Sequence, residues 1–242
     1  LDADATRLRA AIAAAPSAPV PTCPGWSATD LADHVTHVYR HKTVILRTGA
    51  FPEELPPAPP GDALARLDAA YAELVAALAA REPGEAVATW DPADQTAGFW
   101  MRRMAHETVI HRVDGELAAG LPRAPIPADL AVDGVDEVLV RFLEHGSRHW
   151  PDDFGDALAA LDGRAVRVST TAGGSWLVRL APDGVTVTPD APAASDAAAE
   201  VTGDPVDVLL WLWRRGGADG LIATGDAALI GELHELMAKP TL

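Results

Sequence analysis

DALARLDAAYAELVAALAAR, residues 62–81, places Leu64, Leu67, Tyr71, Leu74, Val75 and Leu78 on one face of a helix and is the clearest helical signal in the chain. The surrounding first half reads as three more helical segments. Residues 4–15 set Leu8, Ala11, Ile12 and Ala15 at helical spacing and stop at Pro16. After a proline-rich turn (Pro19, Pro21, Pro24, Gly25), a second helix starts near Ser27 or Thr29, either of which can cap it, and runs to about Arg47. FPEELPPAPPG (51–61) is an extended connector, since its prolines cannot sit in a helix interior. Beyond a loop rich in Pro, Gly and Asp, a fourth helix covers about 95–119 and ends at Gly120 and Pro122. Four helices with apolar stripes make a bundle the economical arrangement.

The second half changes character. A further helix is expected near 128–149, followed by the β-patterned runs RAVRVSTT (164–171), SWLVRLA (175–181) and GVTVTP (184–189), separated by GG and PDG turns. Their spacing predicts an antiparallel meander, with Gly173 and Gly174 forming a hairpin turn and not a phosphate cradle. An Ala/Pro/Asp loop (189–198) leads to AEVTG, the helix DPVDVLLWLWRR (204–215), a short strand LIATG (221–225) and a closing helix, 226–238. The fold class is therefore α+β: a helical bundle over 1–150, then a smaller domain containing an antiparallel sheet over 151–242. No internal repeat links the halves.

The chain has 242 residues, 48% hydrophobic and 22% charged, which suits folded domains with real cores and not a disordered segment. With 35 acidic against 19 basic residues, the net charge of −16 repels a phosphate backbone, and no basic stripe overcomes it; no nucleic-acid partner is expected. No stretch approaches the roughly 20 uncharged apolar residues needed to cross a bilayer, so no membrane partner is expected either. The opening LDADATRLRAAIAAAP carries acidic residues early and resembles an amphipathic helix more than a secretory signal. The expected location is the cytoplasm, with a processed leader left open by the missing initiator Met.

The single cysteine, Cys23, rules out an internal disulfide and a cysteine-based metal cluster. It reads as a half-buried small residue, because no local basic group is evident to lower its pKa. Any metal must then use His, Asp or Glu. In HETVIH (106–111), Glu107 and His111 lie four apart, about 40° round a helix and one turn distant, so they can share an ion. His106 stands about 140° from His111 and cannot easily join both. The run is not the H-E-x-x-H motif, since its second histidine falls one position late. A third ligand must come from another helix, and the second supplies His34, His37 and His41. His34 and His41 are about 10 Å apart along the axis, too far to bind one ion together. Spacing does not choose between His34 and His37. A Glu and His four apart are also commonly a mere surface pair.

Two runs together resemble a known family. PTCPGWSATDLADHVTHV (21–38), followed some seventy residues later by MAHETVIHRVDGE (104–116), is similar to the N-terminal domain of the actinobacterial mycothiol-dependent maleylpyruvate isomerase family, within the DinB-like four-helix bundles. The family's Pro-Gly-Trp turn leads into a helix with a metal-binding histidine, and its Glu and His four apart fall on Glu107 and His111. Carried over, the resemblance assigns the third ligand to His34 and leaves His37 and His106 outside. The stretch VTGDPVDVLLWLWRR…LIATGDAALI (201–230) resembles the family's sterol-carrier-like second domain, so that nearly the whole chain is covered.

The resemblance implies a divalent metal, zinc by expectation, held by two His and one Glu, with mycothiol as thiol cosubstrate. A small-molecule electrophile would be isomerised or would receive the thiol. A two-His, one-carboxylate site with open positions suits catalytic zinc, and a thiol entering it would be deprotonated. The resemblance also implies a catalytic arginine that meets an anionic substrate or thiol, matched by Arg215; where this chain has Arg214 the family usually has a small residue. Both arginines could instead cap a helix C-terminus. Asp114 reads either as an acceptor orienting His111 or as a solvated helix residue. Trp26 walls the site or staples its turn, the latter being the preferred reading. The contrasting functional class is a non-catalytic metal- or ligand-binding regulatory module on the same fold. Loops around 48–61 and 84–98 are expected to shape the substrate pocket; substrate identity and oligomeric state are not encoded in any motif.

Overall fold

Ser27 opens the helix that matters most. Its hydroxyl accepts from the Asp30 amide while the Asp30 carboxylate accepts from the Ser27 amide, a complete capping box, so that Ser27 and not Thr29 is the cap. A computed structural model of the chain describes residues 1–192, 196–239 and 241. It divides the chain into two compact units, Leu1–Ala124 and Pro125–Leu242.

The first unit contains α1 (Asp2–Ala14), α2 (Ala28–Thr48), α3 (Ala63–Ala79) and α4 (Ala97–Ala118), the four helices that periodicity predicts. Side-chain oxygens cap the later ones: Asp62 for α3 and Thr96 for α4. Gly49, at φ 79°, ends α2 in the left-handed conformation that glycine adopts without steric cost. Leu8, Ile12, Leu31, Val35, Tyr39, Leu46, Leu67, Leu74, Trp100 and Met104 fill the core. α4 is buried on almost all sides, so its polar groups need internal partners. Tyr39 and Thr108 share a buried hydroxyl pair at 2.6 Å, and Arg112 donates to Asp4, Glu116 and the Ala124 carbonyl. α1 approaches α4 at Gly115, where a Cβ would meet Leu8 Cδ1 at 3.1 Å.

The second unit begins with α5 (Ala128–Asp136), continues through a wider π-helical stretch (Glu137–Glu144) into α6 (His145–His149), and then makes a short 3-10 segment (Pro151–Ala157). The strands are β1 (Ala165–Thr170), β2 (Ser175–Ala181), β3 (Gly184–Pro189), β4 (Ala199–Gly203) and β5 (Leu221–Gly225), with α7 (Pro205–Leu212) before β5 and α8 (Ala227–Leu236) after it. Their order is β3-β2-β1-β4-β5. The meander β1-β2-β3 forms as its turn signals predict. The sheet as a whole is mixed and not antiparallel, because β4 lies parallel beside β1, pairing Val166 with Ala199 and Val168 with Val201. Residues 193–195 of the loop expected at 189–198 lie outside the described residues.

The division also falls earlier than the boundary expected near residue 150, and the second unit is nearly as long as the first. The helical stretch 128–149 is tied to the sheet: Trp176 Nε1 donates to Asp136, the Val185 amide to Ser147 Oγ, the Val187 amide to Glu144 Oε1, and Arg148 Nε to the Val185 carbonyl. The last three of these bonds satisfy backbone groups of β3, an edge strand that would otherwise present them unpaired. Among the described residues, no helix is long and apolar enough to cross a membrane.

Candidate metal centre

α2 and α4 present His34, Glu107 and His111 to one another. One ligand atom from each lies within 4.8 Å of the others. His34 Nε2 is 3.4 Å from Glu107 Oε1 and His111 Nε2 is 3.2 Å from the same oxygen, so both imidazoles turn their outer nitrogens to one carboxylate oxygen. The two rings meet edge to face with centroids 4.8 Å apart. The Glu107 and His111 side chains are 10% exposed and that of His34 is 34%, which puts the open side of the cluster at His34.

Glu107 and His111 are held from behind. His111 Nδ1 donates to Asp114 Oδ2 at 2.9 Å, and Asp114 Oδ1 accepts from the Thr22 hydroxyl at 2.5 Å. Asp114 is 0% exposed, which decides between its two readings in favour of the orienting acceptor. Arg103 Nη2 donates to Glu107 Oε2, leaving Oε1 to face the histidines. Trp26 stands against His34 with centroids 4.9 Å apart, while its carbonyl accepts from the Val20 amide inside the Pro-Gly-Trp turn; it both walls the cluster and closes the turn. Cys23 is partly buried and packs on the bundle core, as expected of a small residue.

The electrostatics follow from burial and pairing. Burial alone would raise the Glu107 carboxyl, but Arg103 and the two imidazoles hold it well below the usual carboxylate range. Burial lowers His111, and the Glu107 and Asp114 carboxylates outweigh it, lifting its pKa to about 9. The donor set fits a divalent metal of zinc type: two imidazole nitrogens and a carboxylate oxygen, one histidine backed by a buried carboxylate, and an open side.

Other sequence candidates lie elsewhere. His37 stacks on His41 at 6.4 Å, and His106 is buried in α4; neither belongs to the cluster. Arg214 and Arg215 end α7 in a Schellman arrangement, with the Arg215 amide on the Leu210 carbonyl and the Arg214 amide on that of Trp211. Arg214 takes φ 59°, the left-handed region that glycine adopts without steric cost. Arg215 is buried in the second unit, its guanidinium donating to the Trp213 and Thr241 carbonyls. Arg103, Thr22 and Lys42 escaped the sequence reading. Arg103 was findable from its spacing of four to Glu107; Thr22 reaches Asp114, and Lys42 its indole neighbours Trp90 and Trp100, only through tertiary packing.

The profile described as the mycothiol maleylpyruvate isomerase N-terminal domain matches residues 1–115, and that of the MDMPI C-terminal domain matches residues 129–232. Among solved structures, a mycothiol-dependent maleylpyruvate isomerase is similar at 17% identity and a TM-score of 0.60, covering 93% of this chain and 91% of that one. A histidine-to-alanine mutant of such an isomerase is similar at 16% identity and a TM-score of 0.62, with the same coverage. At these identities the structural likeness is one of fold. No curated protein matches the chain.

Proposed function

The chain belongs to the mycothiol-dependent maleylpyruvate isomerase family, both of whose domains it carries, and from that membership we propose that it is a thiol-dependent enzyme with a divalent metal, zinc by its donor set, on His34, Glu107 and His111. Mycothiol is the proposed cosubstrate and a small electrophile the proposed substrate. The observation that carries the reading is the convergence of three ligand atoms within 4.8 Å, with Asp114 behind His111. When bound, such a metal would act as a Lewis acid that lowers the pKa of an entering thiol, giving a thiolate at neutral pH.

The residues divide the remaining work. Asp114 fixes the His111 tautomer with Nε2 outward, and Thr22 fixes Asp114. Arg103 keeps Glu107 ionised and pointed at the histidines. His34, the most exposed of the three, borders the side from which thiol and substrate enter. A thiolate adding to an activated double bond permits rotation about the resulting single bond, and its elimination releases the isomer. Retention of the thiol on the product gives S-transfer instead. Arg215 is the proposed catalytic arginine that meets an anionic group, a role that rests on the family resemblance.

The test is metal content of the wild type and His111→Ala by elemental mass spectrometry, with mass spectrometry of mycothiol conjugates. Stoichiometric zinc lost in His111→Ala, together with zinc-dependent thiol chemistry, is the expected result. A wild type that stays metal-free after zinc loading rejects the site. Zinc binding with no thiol engagement turns the reading to a regulatory metal-binding module.

A further inference from the structure

The mixed sheet has two edges, and they are finished differently. At β3 the Val185 and Val187 amides and the Val185 carbonyl are taken by Ser147, Glu144 and Arg148. At the other edge β5 lies open: Ile222, Ala223, Thr224 and Gly225 are all exposed, and Ile222, at 70%, is the most exposed large apolar side chain among the described residues. Backbone groups of successive strand residues point to opposite sides, so the register fixes which groups of β5 face outward. The Gly203 carbonyl accepts from the Thr171 amide on the β1 side, so in β4 it is Glu200 and Thr202 that turn their backbone groups to β5. Their partners there are Thr224 and Ile222, which leaves the Ala223 amide and carbonyl directed away from β4, into the open edge. The Leu221 carbonyl points the same way, while the Leu221 amide is taken by the Ala218 carbonyl.

An open edge accepts an extended strand, and sheets that must avoid such pairing block it with lysine, proline or another charge. β5, LIATG, has none of these. In a chain of net charge −16, the run between Asp219 and Asp226 carries no charged side chain at all. We propose that β5 is a self-association edge, at which a second copy of this chain pairs antiparallel about a two-fold axis at Ala223 and joins the two sheets into one. The two-fold selects a second copy over an unrelated strand. Centred at Ala223, it sets each Ile222 opposite the partner's Thr224, giving both β-branched side chains a cross-strand neighbour. Each Ala223 amide then donates to the partner's Ala223 carbonyl, and both groups were left facing outward. At the strand ends the same register puts Asp219 opposite the partner's Ala227 and Asp226 opposite the partner's Gly220, so no two carboxylates face each other, and Asp226 is held by Arg164 within its own copy. One short strand buries far less than the roughly 800 Å² per partner of a standard interface, so the dimer is weak and concentration-dependent. The edge belongs to the second unit, and its pairing is independent of the metal-centre reading.

Sedimentation equilibrium of the full chain, from micromolar to millimolar concentration, tests the pairing: the mass of the wild type should rise from 25.3 kDa toward twice that value. Ala223→Pro removes the outward amide without breaking a bond to β4, since an edge strand tolerates proline on its solvent side, and Ile222→Lys places a charge on the edge. Each should weaken the dimer by about ten-fold or more, because every substitution acts in both copies, with circular dichroism checking the fold. In a Cys23→Ser background, Ala223→Cys should form a disulfide between copies with diamide as oxidant, since hydrogen-bonded antiparallel pairs hold their Cα atoms about 5.5 Å apart, within disulfide reach. That cross-link decides the matter if Ala223→Pro fails to fold. A wild type that is monomeric at millimolar concentration, a dimer indifferent to both substitutions, or a dimer in which Ala223→Cys stays unlinked overturns the proposal.

Discussion

Asp114 and His111 are joined within α4 by a 2.9 Å bond from the imidazole Nδ1 to a carboxylate that is 0% exposed. A spacing of three along one helix brings them together, and the second carboxylate oxygen is taken by Thr22 from the Pro-Gly-Trp turn. The turn preceding α2 thereby braces the His111 imidazole on α4.

Asp114→Asn should therefore weaken zinc affinity by about 10–100-fold while leaving the fold intact, the usual cost of losing a ligand's outer partner. Competition against a chromophoric chelator measures it. Unchanged affinity would mean that packing alone orients the His111 ring.

Ser27→Ala removes the capping box of the helix that carries His34. The expected loss is about 1 kcal/mol in urea unfolding, with one zinc per chain still bound, because the cap lies at the start of α2 and touches no ligand. Loss of zinc without loss of stability would assign Ser27 a different role.

Lys42 has a folded pKa of about 8, below the unfolded value of 10.5. Between these values the unfolded chain binds more protons than the folded one, so this group's contribution makes stability rise as pH increases through 8 toward 10.5. Lys42→Met should flatten that rise. Urea midpoints at neutral pH and at about pH 9.5 for both proteins compare the slopes; parallel behaviour would contradict a desolvated ammonium.

Arg214 sits at φ 59° in the Schellman turn after α7. Arg214→Val should be less stable than Arg214→Gly by about 1–2 kcal/mol, since a β-branched residue pays the left-handed penalty that glycine escapes. Thermal unfolding of the pair measures the difference, and equal midpoints would mean that the turn relaxes to negative φ.

The four bundle helices, a cap at Ser27 or Thr29 for the second of them and the β1-β2-β3 meander were legible in the chain because they depend on neighbours within a few residues: Leu67, Leu74 and Leu78 at helical spacing, a hydroxyl at the start of α2, Gly173 with Gly174. The Glu107–His111 pair was legible for the same reason. His34 was different. Spacing on α2 fitted His37 as well, and family resemblance made the choice; in the structure His34 faces α4 because Leu31, Val35 and Tyr39 turn that side inward, with Tyr39 bonded to Thr108. The parallel pairing of β4 with β1, the boundary after Ala124 and the indole walls around Lys42 likewise join residues far apart in sequence. Local periodicity and capping chemistry thus determined which segments are helices and strands and that Glu107 and His111 share one helix face. The partners of His34, the sheet order and the setting of Lys42 were decided by packing between segments, where burial and hydrogen-bond satisfaction across the fold choose among faces that local spacing leaves equal.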